Sequence, residues 1–103
     1  MMVRKHITFY GEVQGVGFRW RARQEAKFCG CTGFVRNNWD GSVTMEIQGE
    51  ESQIDQVIMA LEEGRYIQIQ NMDSRTIPVN ENEREFTVET CCADGNQYRF
   101  FSY

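Results

Sequence analysis

The sequence is poor in the features that mark several protein classes. It has one proline and one histidine in 103 residues, and nowhere does it gather the roughly 18 consecutive apolar residues that a membrane helix needs. Residues 1–10 also lack the apolar stretch of a secretory signal, so a cytoplasmic location is expected. No repeat, low-complexity tract or linker is visible. The four cysteines, Cys29, Cys31, Cys91 and Cys92, form a C-x-C and a C-C pair, which are not zinc-ligand spacings. Without a secreted context they do not read as a disulfide framework either, and free thiols are expected.

The chain is short enough that one domain is expected. With 41% hydrophobic, 25% charged and 13% aromatic residues, it has the composition of a water-soluble globule with bulk for one core. Its formal net charge is −4, which argues against broad nucleic-acid binding. The charge is unevenly placed: residues 14–36 hold Arg19, Arg21, Arg23, Lys27 and Arg36 against Glu25, a local +4, and leave −8 for the remainder. A basic island on an acidic chain suits a small anion better than a long polyanion, which would meet repulsion beyond the island.

Residues 3–10 alternate, with Val3, Ile7 and Phe9 able to face a core and Lys5 as the polar exception, which predicts a strand. Beyond a glycine-bearing stretch, Phe18, Ala22, Ala26 and Cys29 recur at helical spacing up to Gly30, a suitable C-terminal cap. Residues 32–38 and 42–49 flank Asp40-Gly41, a strong hairpin signal. Ile54, Val57, Ile58 and Leu61 make a helical stripe, with Ser52 as a possible cap and Gly64 past the end. Residues 66–72 and 85–90 are expected to form two more strands, joined by a polar connection that holds Pro78. The order β-α-β-β-α-β predicts a ferredoxin-like α+β sandwich, a four- or five-stranded antiparallel sheet with both helices on one face. Residues 1–90 make the expected domain. Residues 91–103 form a C-terminal extension, read either as an added hairpin strand or as a loose tail.

Two segments carry candidate chemistry. Val13-Gln-Gly-Val-Gly-Phe-Arg19 falls where the first strand should turn into the first helix. Such a junction can aim backbone N–H groups and the positive helix end at one anion, and Arg19 adds a planar, permanently charged fork suited to phosphate oxygens. The structural alternative is a tight turn whose glycines serve geometry alone. The Gly-Lys-Ser/Thr ending of a nucleotide P-loop is missing. In Gly33-Phe-Val-Arg-Asn37, Asn37 lies near the end of the second strand, where its amide could reach toward the first loop and hold a water or an oxygen. Its plainer reading, favoured on residues alone, is a turn former.

Together the two segments, with Asp40-Gly41-Ser42-Val43 after them, closely resemble the paired signatures of the acylphosphatase family, and the similarity runs from the first strand to Val88. The resemblance implies an enzyme that hydrolyses acyl phosphates to carboxylate and inorganic phosphate. It implies catalytic roles for Arg19 and Asn37 and a phosphate cradle made by Gln14, Gly15, Val16, Gly17, Phe18 and Arg19. Neither a metal nor a cofactor is implied, and neither nucleic acid nor a membrane is an expected partner; a monomer is expected. His6 is read as an exposed strand residue rather than a phosphate carrier. Cys29 and Cys31 are read as small apolar side chains at the helix end.

An RNA-recognition module shares the element order, but residues 42–49 lack the aromatic side chains on which bases stack. A metal-carrying relative would place cysteines in the first loop, which has none. The alternative that survives is a catalytically silent binding or regulatory module on the same fold, though such a module would need neither Arg19 nor Asn37.

Overall fold

The structure, a computed structural model, describes residues 1–89. The expected C-terminal extension, including Cys91 and Cys92, lies outside the described residues. Seven elements follow in chain order: β1 (Met2–Glu12), α1 (Phe18–Cys29), β2 (Thr32–Asn37), β3 (Val43–Glu50), α2 (Glu51–Glu62), β4 (Gln68–Ile77) and β5 (Phe86–Glu89). The five strands form one sheet in the order β4-β1-β3-β2-β5.

Alternation along the strands sorts the side chains onto two faces. Ile7 and Phe9 of β1, Val43, Met45 and Ile47 of β3, Val35 of β2 and Phe86 of β5 are buried in one cluster with Phe18, Ala22 and Ala26 of α1 and Ile54, Val57 and Leu61 of α2. Both helices therefore cover the same face, as the apolar stripes require. The Phe9 and Phe18 rings meet with centroids 4.9 Å apart and planes tilted by 59°. This contact pins the end of β1 to the first residue of α1, so the loop between them is held at both ends.

Several expectations change in detail. The sheet is mixed rather than wholly antiparallel: β1–β3, β1–β4 and β2–β3 are antiparallel, but β2 and β5 run parallel. The reason is the route into β5, which enters the far edge after the 78–85 connection has crossed the sheet. β4 begins later and runs longer than residues 66–72, because its pairing with β1 continues from Glu12↔Gln68 to Arg4↔Ile77 through exposed residues with no apolar alternation. The N-terminus of α2 is capped at Glu50 rather than Ser52, with Gln53 Oε1 accepting from the Glu50 N–H at 2.9 Å. β3 runs directly into α2, so no separate loop supplies a serine cap.

The face without helices carries a polar network. Arg4, 5% exposed, donates through its fork to both Glu83 carboxylate oxygens at 2.7 and 3.2 Å, to Glu46 at 3.1 and 3.3 Å, and to Gln48 Oε1 at 3.2 Å. Gln48 also binds the backbone of Asn80, donating to its carbonyl at 3.0 Å and accepting from its N–H at 2.7 Å. These bonds strap the 78–85 connection across β1 and β3. His6 is not simply exposed, because its Nδ1 lies 2.7 Å from Glu46 Oε2 and its side chain is one quarter exposed. Burial would raise the Glu46 carboxyl, but bonds from His6 and Arg4 outweigh burial and hold it below its ordinary value.

Cys31 is buried in the core and Cys29 packs against it, both as free thiols. Burial pushes the Cys31 thiol up to about 11, so it stays protonated and serves as a small apolar side chain.

Candidate active site

Between β1 and α1 the chain must reverse within five residues, and it does so through left-handed backbone at Gly15 (φ 73°) and Gly17 (φ 82°). Both positions face open space, with nothing within 4 Å of where a Cβ would stand. Their requirement is thus conformational rather than steric. Gly17 is the N-cap of α1 and its carbonyl accepts the first helical bond, from Arg21 N–H at 2.9 Å. Among the described residues, no side chain caps the amides of that turn, and no acidic residue of the turn offsets the positive end of the helix.

A cleft of about 160 Å³ opens here, lined by Val13, Gly15, Gly17, Phe18, Arg19, Trp20 and Asn37. The first strand end, the helix start and the end of β2 thus meet at one place. Arg19 Nη1 donates to the Glu89 carbonyl at 3.0 Å, so β5 supports the guanidinium from the sheet side. Asn37, opposite Val43 on β3, carries the one buried side-chain oxygen or nitrogen among the described residues that lacks a hydrogen-bond partner, its Oδ1.

The wall that carries Asn37 is fixed by a lattice of side chains. Asn38 Nδ2 donates to Ser42 Oγ at 3.0 Å and to Thr44 Oγ1 at 2.8 Å. Asp40 accepts from both the hydroxyl and the N–H of Ser42, and these two bonds hold its carboxyl below the usual carboxylate range. Gln14 joins the two walls: its Nε2 donates to the Asn38 carbonyl at 2.8 Å and the Ser42 carbonyl at 2.9 Å.

Of the expected cradle residues, the cleft gathers Gly15, Gly17, Phe18 and Arg19, together with Asn37. Gln14 and Val16 do not line it; the Gln14 side chain is spent on the β2–β3 turn, and Val16 packs against the core. The basic island does not converge either. Arg21 donates to the Ala60 carbonyl at 2.7 Å and Arg36 faces Glu89 at 3.6 Å, so only Arg19 of the five cations lines the cleft. Helical spacing spreads charges that look contiguous in sequence. Trp20 was missed, although its place directly after Arg19 in the first helical turn was available as a signal.

The fold and the cleft define a small α+β protein in which a glycine loop and a helix start face an asparagine. The family model for acylphosphatase matches residues 5–88. An acylphosphatase of Clostridium acetobutylicum is 36% identical over 89 residues, spanning 85% of this chain and 98% of that protein. One from Geobacillus kaustophilus is 38% identical over 88 residues, spanning 84% and 94%. Among solved structures, acylphosphatase from Bacillus subtilis superposes with a TM-score of 0.78 at 27% identity, covering 86% of this chain and 99% of that one. The chain belongs to the acylphosphatase family and is an enzyme of that family. No helix among the described residues is long and apolar enough to cross a membrane.

Proposed function

We propose that the protein hydrolyses acyl phosphates to a carboxylate and inorganic phosphate, with Arg19 and Asn37 as the catalytic residues. The observation that carries this reading is that Arg19, at the start of α1, and Asn37, at the end of β2, line one cleft. The cradle comprises the guanidinium of Arg19 and the backbone amides of Gly15, Gly17 and Phe18, which line the cleft, with those of Gln14 and Val16 completing the loop although their side chains turn elsewhere.

In this mechanism the phosphoryl group sits at the N-terminus of α1 with Arg19 across two of its oxygens. Positioning and charge stabilisation are what phosphoryl transfer chiefly requires of a protein. The side-chain amide of Asn37 holds a water by a hydrogen bond and directs the water's lone pair in line at phosphorus, opposite the acyl oxygen. The new P–O bond forms as the bond to the acyl oxygen breaks. The electron pair leaves with the carboxylate, and the water's proton ends on the phosphate. A carboxylate is a weak base, so departure needs no general acid; an amide suffices to place the water because the anhydride is already activated.

Residues 1–90 form the catalytic unit in this reading and 91–103 an extension. The protein works as a cytoplasmic monomer on a small molecule, without metal, cofactor, nucleic acid or membrane. The direct experiment is phosphate release from benzoyl phosphate and acetyl phosphate by purified protein with a metal chelator present. Release in the chelator supports the reading. Failure to release phosphate would leave a silent binding module, and release only with added divalent cation would displace the metal-independent mechanism. Inorganic phosphate should inhibit competitively, with amide NMR shifts centred on residues 14–19.

A further inference from the structure

We propose that Trp20 selects the acyl group, and that this site is best served by substrates whose acyl group is flat and apolar. The inference rests on acyl-phosphate hydrolysis at the cleft and adds to it the substrate class.

The cleft holds about 160 Å³, well below the roughly 300–1,000 Å³ of pockets that envelop a small-molecule ligand. It takes the phosphoryl end and leaves the acyl group at the mouth. Val13 and Phe18 also line it, but each is 1% exposed and is committed to the core. Trp20 is different: it lines the cleft with 64% of its surface exposed. It is the third residue of α1 and follows Arg19, and a turn of about 100° per residue separates it from the core-facing Phe18.

An indole on one side of the mouth offers a broad apolar face to a group lying against it. The polar side chains lining the cleft are Arg19 and Asn37, and both are engaged in the reaction. A polar or charged acyl substituent would thus surrender water without finding a partner there, while a planar apolar one covers the indole. Trp39, 61% exposed, is not among the lining residues and serves as the control.

The test compares benzoyl phosphate with acetyl phosphate in the wild type, Trp20→Ala, Trp20→Phe and Trp39→Ala. The two carboxylates differ in intrinsic leaving ability, so the readout is how each variant changes the ratio of the two kcat/KM values. Trp20→Ala should lower kcat/KM for benzoyl phosphate about tenfold, mainly through KM, because a contact equal in ground and transition states is lost. Acetyl phosphate should change less than about twofold and the inhibition constant for inorganic phosphate should hold, since neither reaches the indole. Trp20→Phe should retain most of the preference, and Trp39→Ala all of it. An unchanged ratio in Trp20→Ala, an equal fall for both substrates, or an equal shift from Trp39→Ala would overturn the assignment of Trp20. If the wild type hydrolyses neither compound, the reading of the cleft fails and this inference falls with it.

Discussion

On the open face of the sheet Arg4 bonds to Glu83, Glu46 and Gln48, and Glu46 is bonded in turn by His6. At the cleft, Asn37 keeps a buried Oδ1 that accepts no hydrogen bond from the described protein residues. Neither region is apolar, and the same sheet supports both. The difference lies in whether the polar groups are saturated by the protein itself. A saturated network can fasten a connection, as this one fastens residues 78–85, but it has no free capacity for a substrate. A side chain that the protein itself does not saturate keeps hydrogen-bonding capacity. The two regions should therefore respond oppositely to mutation: changes at the cleft should cost turnover, and changes on the open face should cost stability.

The sharpest break in that contrast is expected at Arg19. Arg19→Ala should lower kcat by about 10³ and weaken inorganic phosphate binding in parallel, because one preorganised charged group serves both. Arg19→Lys should not restore either, since an ammonium cannot reproduce the planar fork. Kinetics and phosphate inhibition on the same preparations check this, and near-normal turnover in either variant would remove Arg19 from the reaction.

Next in size is the open face. Arg4→Ala leaves Glu46 and Glu83 partly buried without their cation, and should destabilise the fold by about 2–3 kcal/mol. Turnover in the folded fraction should stay near the wild-type value. Urea unfolding paired with kcat decides it; loss of turnover without loss of stability would erase the distinction between the two regions.

Gln14 lies between the extremes, as a positioning residue that ties the glycine loop to the β2–β3 turn. Gln14→Ala should lower kcat about tenfold with phosphate affinity little changed. It should also add little to Asn37→Ala, because residues that act through one another are not additive. Full additivity in that double-mutant cycle would make Gln14 a stabilising residue only.

The smallest effect concerns pH. The Glu46 carboxyl is held below its ordinary value of 4.5 in the folded protein. Its contribution to stability is therefore complete above the unfolded-state value and is lost as pH falls through the lowered one. Glu46→Gln should flatten the acid limb of the thermal midpoint measured from neutral pH down through the carboxylate range. An unchanged acid limb would mean that Glu46 does not carry this dependence.

How far the sequence revealed the molecule differs between the same two regions. The helix-covered face was legible because apolar periodicity reports burial directly: Phe18, Ala22 and Ala26, then Ile54, Val57 and Leu61, are buried as their spacing predicts. The second half of β4 was not, because an edge strand paired through its backbone needs no apolar alternation. The buried Arg4 was equally hidden, since Glu83, its partner 79 positions away, leaves no local pattern. At the cleft, the glycines and Arg19 could be found because a left-handed turn before a helix has its own composition. The bonds of Gln14 to the β2–β3 turn depend on two loops meeting in space, and no spacing rule exposes them.

The contrast turns most directly on Asn37. On one sample of Asn37→Ala, the thermal midpoint, inorganic phosphate affinity and kcat for benzoyl phosphate should be measured together. The expected result is a midpoint that does not fall, since the Oδ1 makes no protein hydrogen bond that the substitution would break, an affinity close to that of the wild type, and a kcat lower by about 10². A folded, phosphate-binding variant with normal turnover would contradict the assignment of the Asn37 side chain to the attacking water, and a lowered midpoint with normal turnover would make Asn37 a turn former.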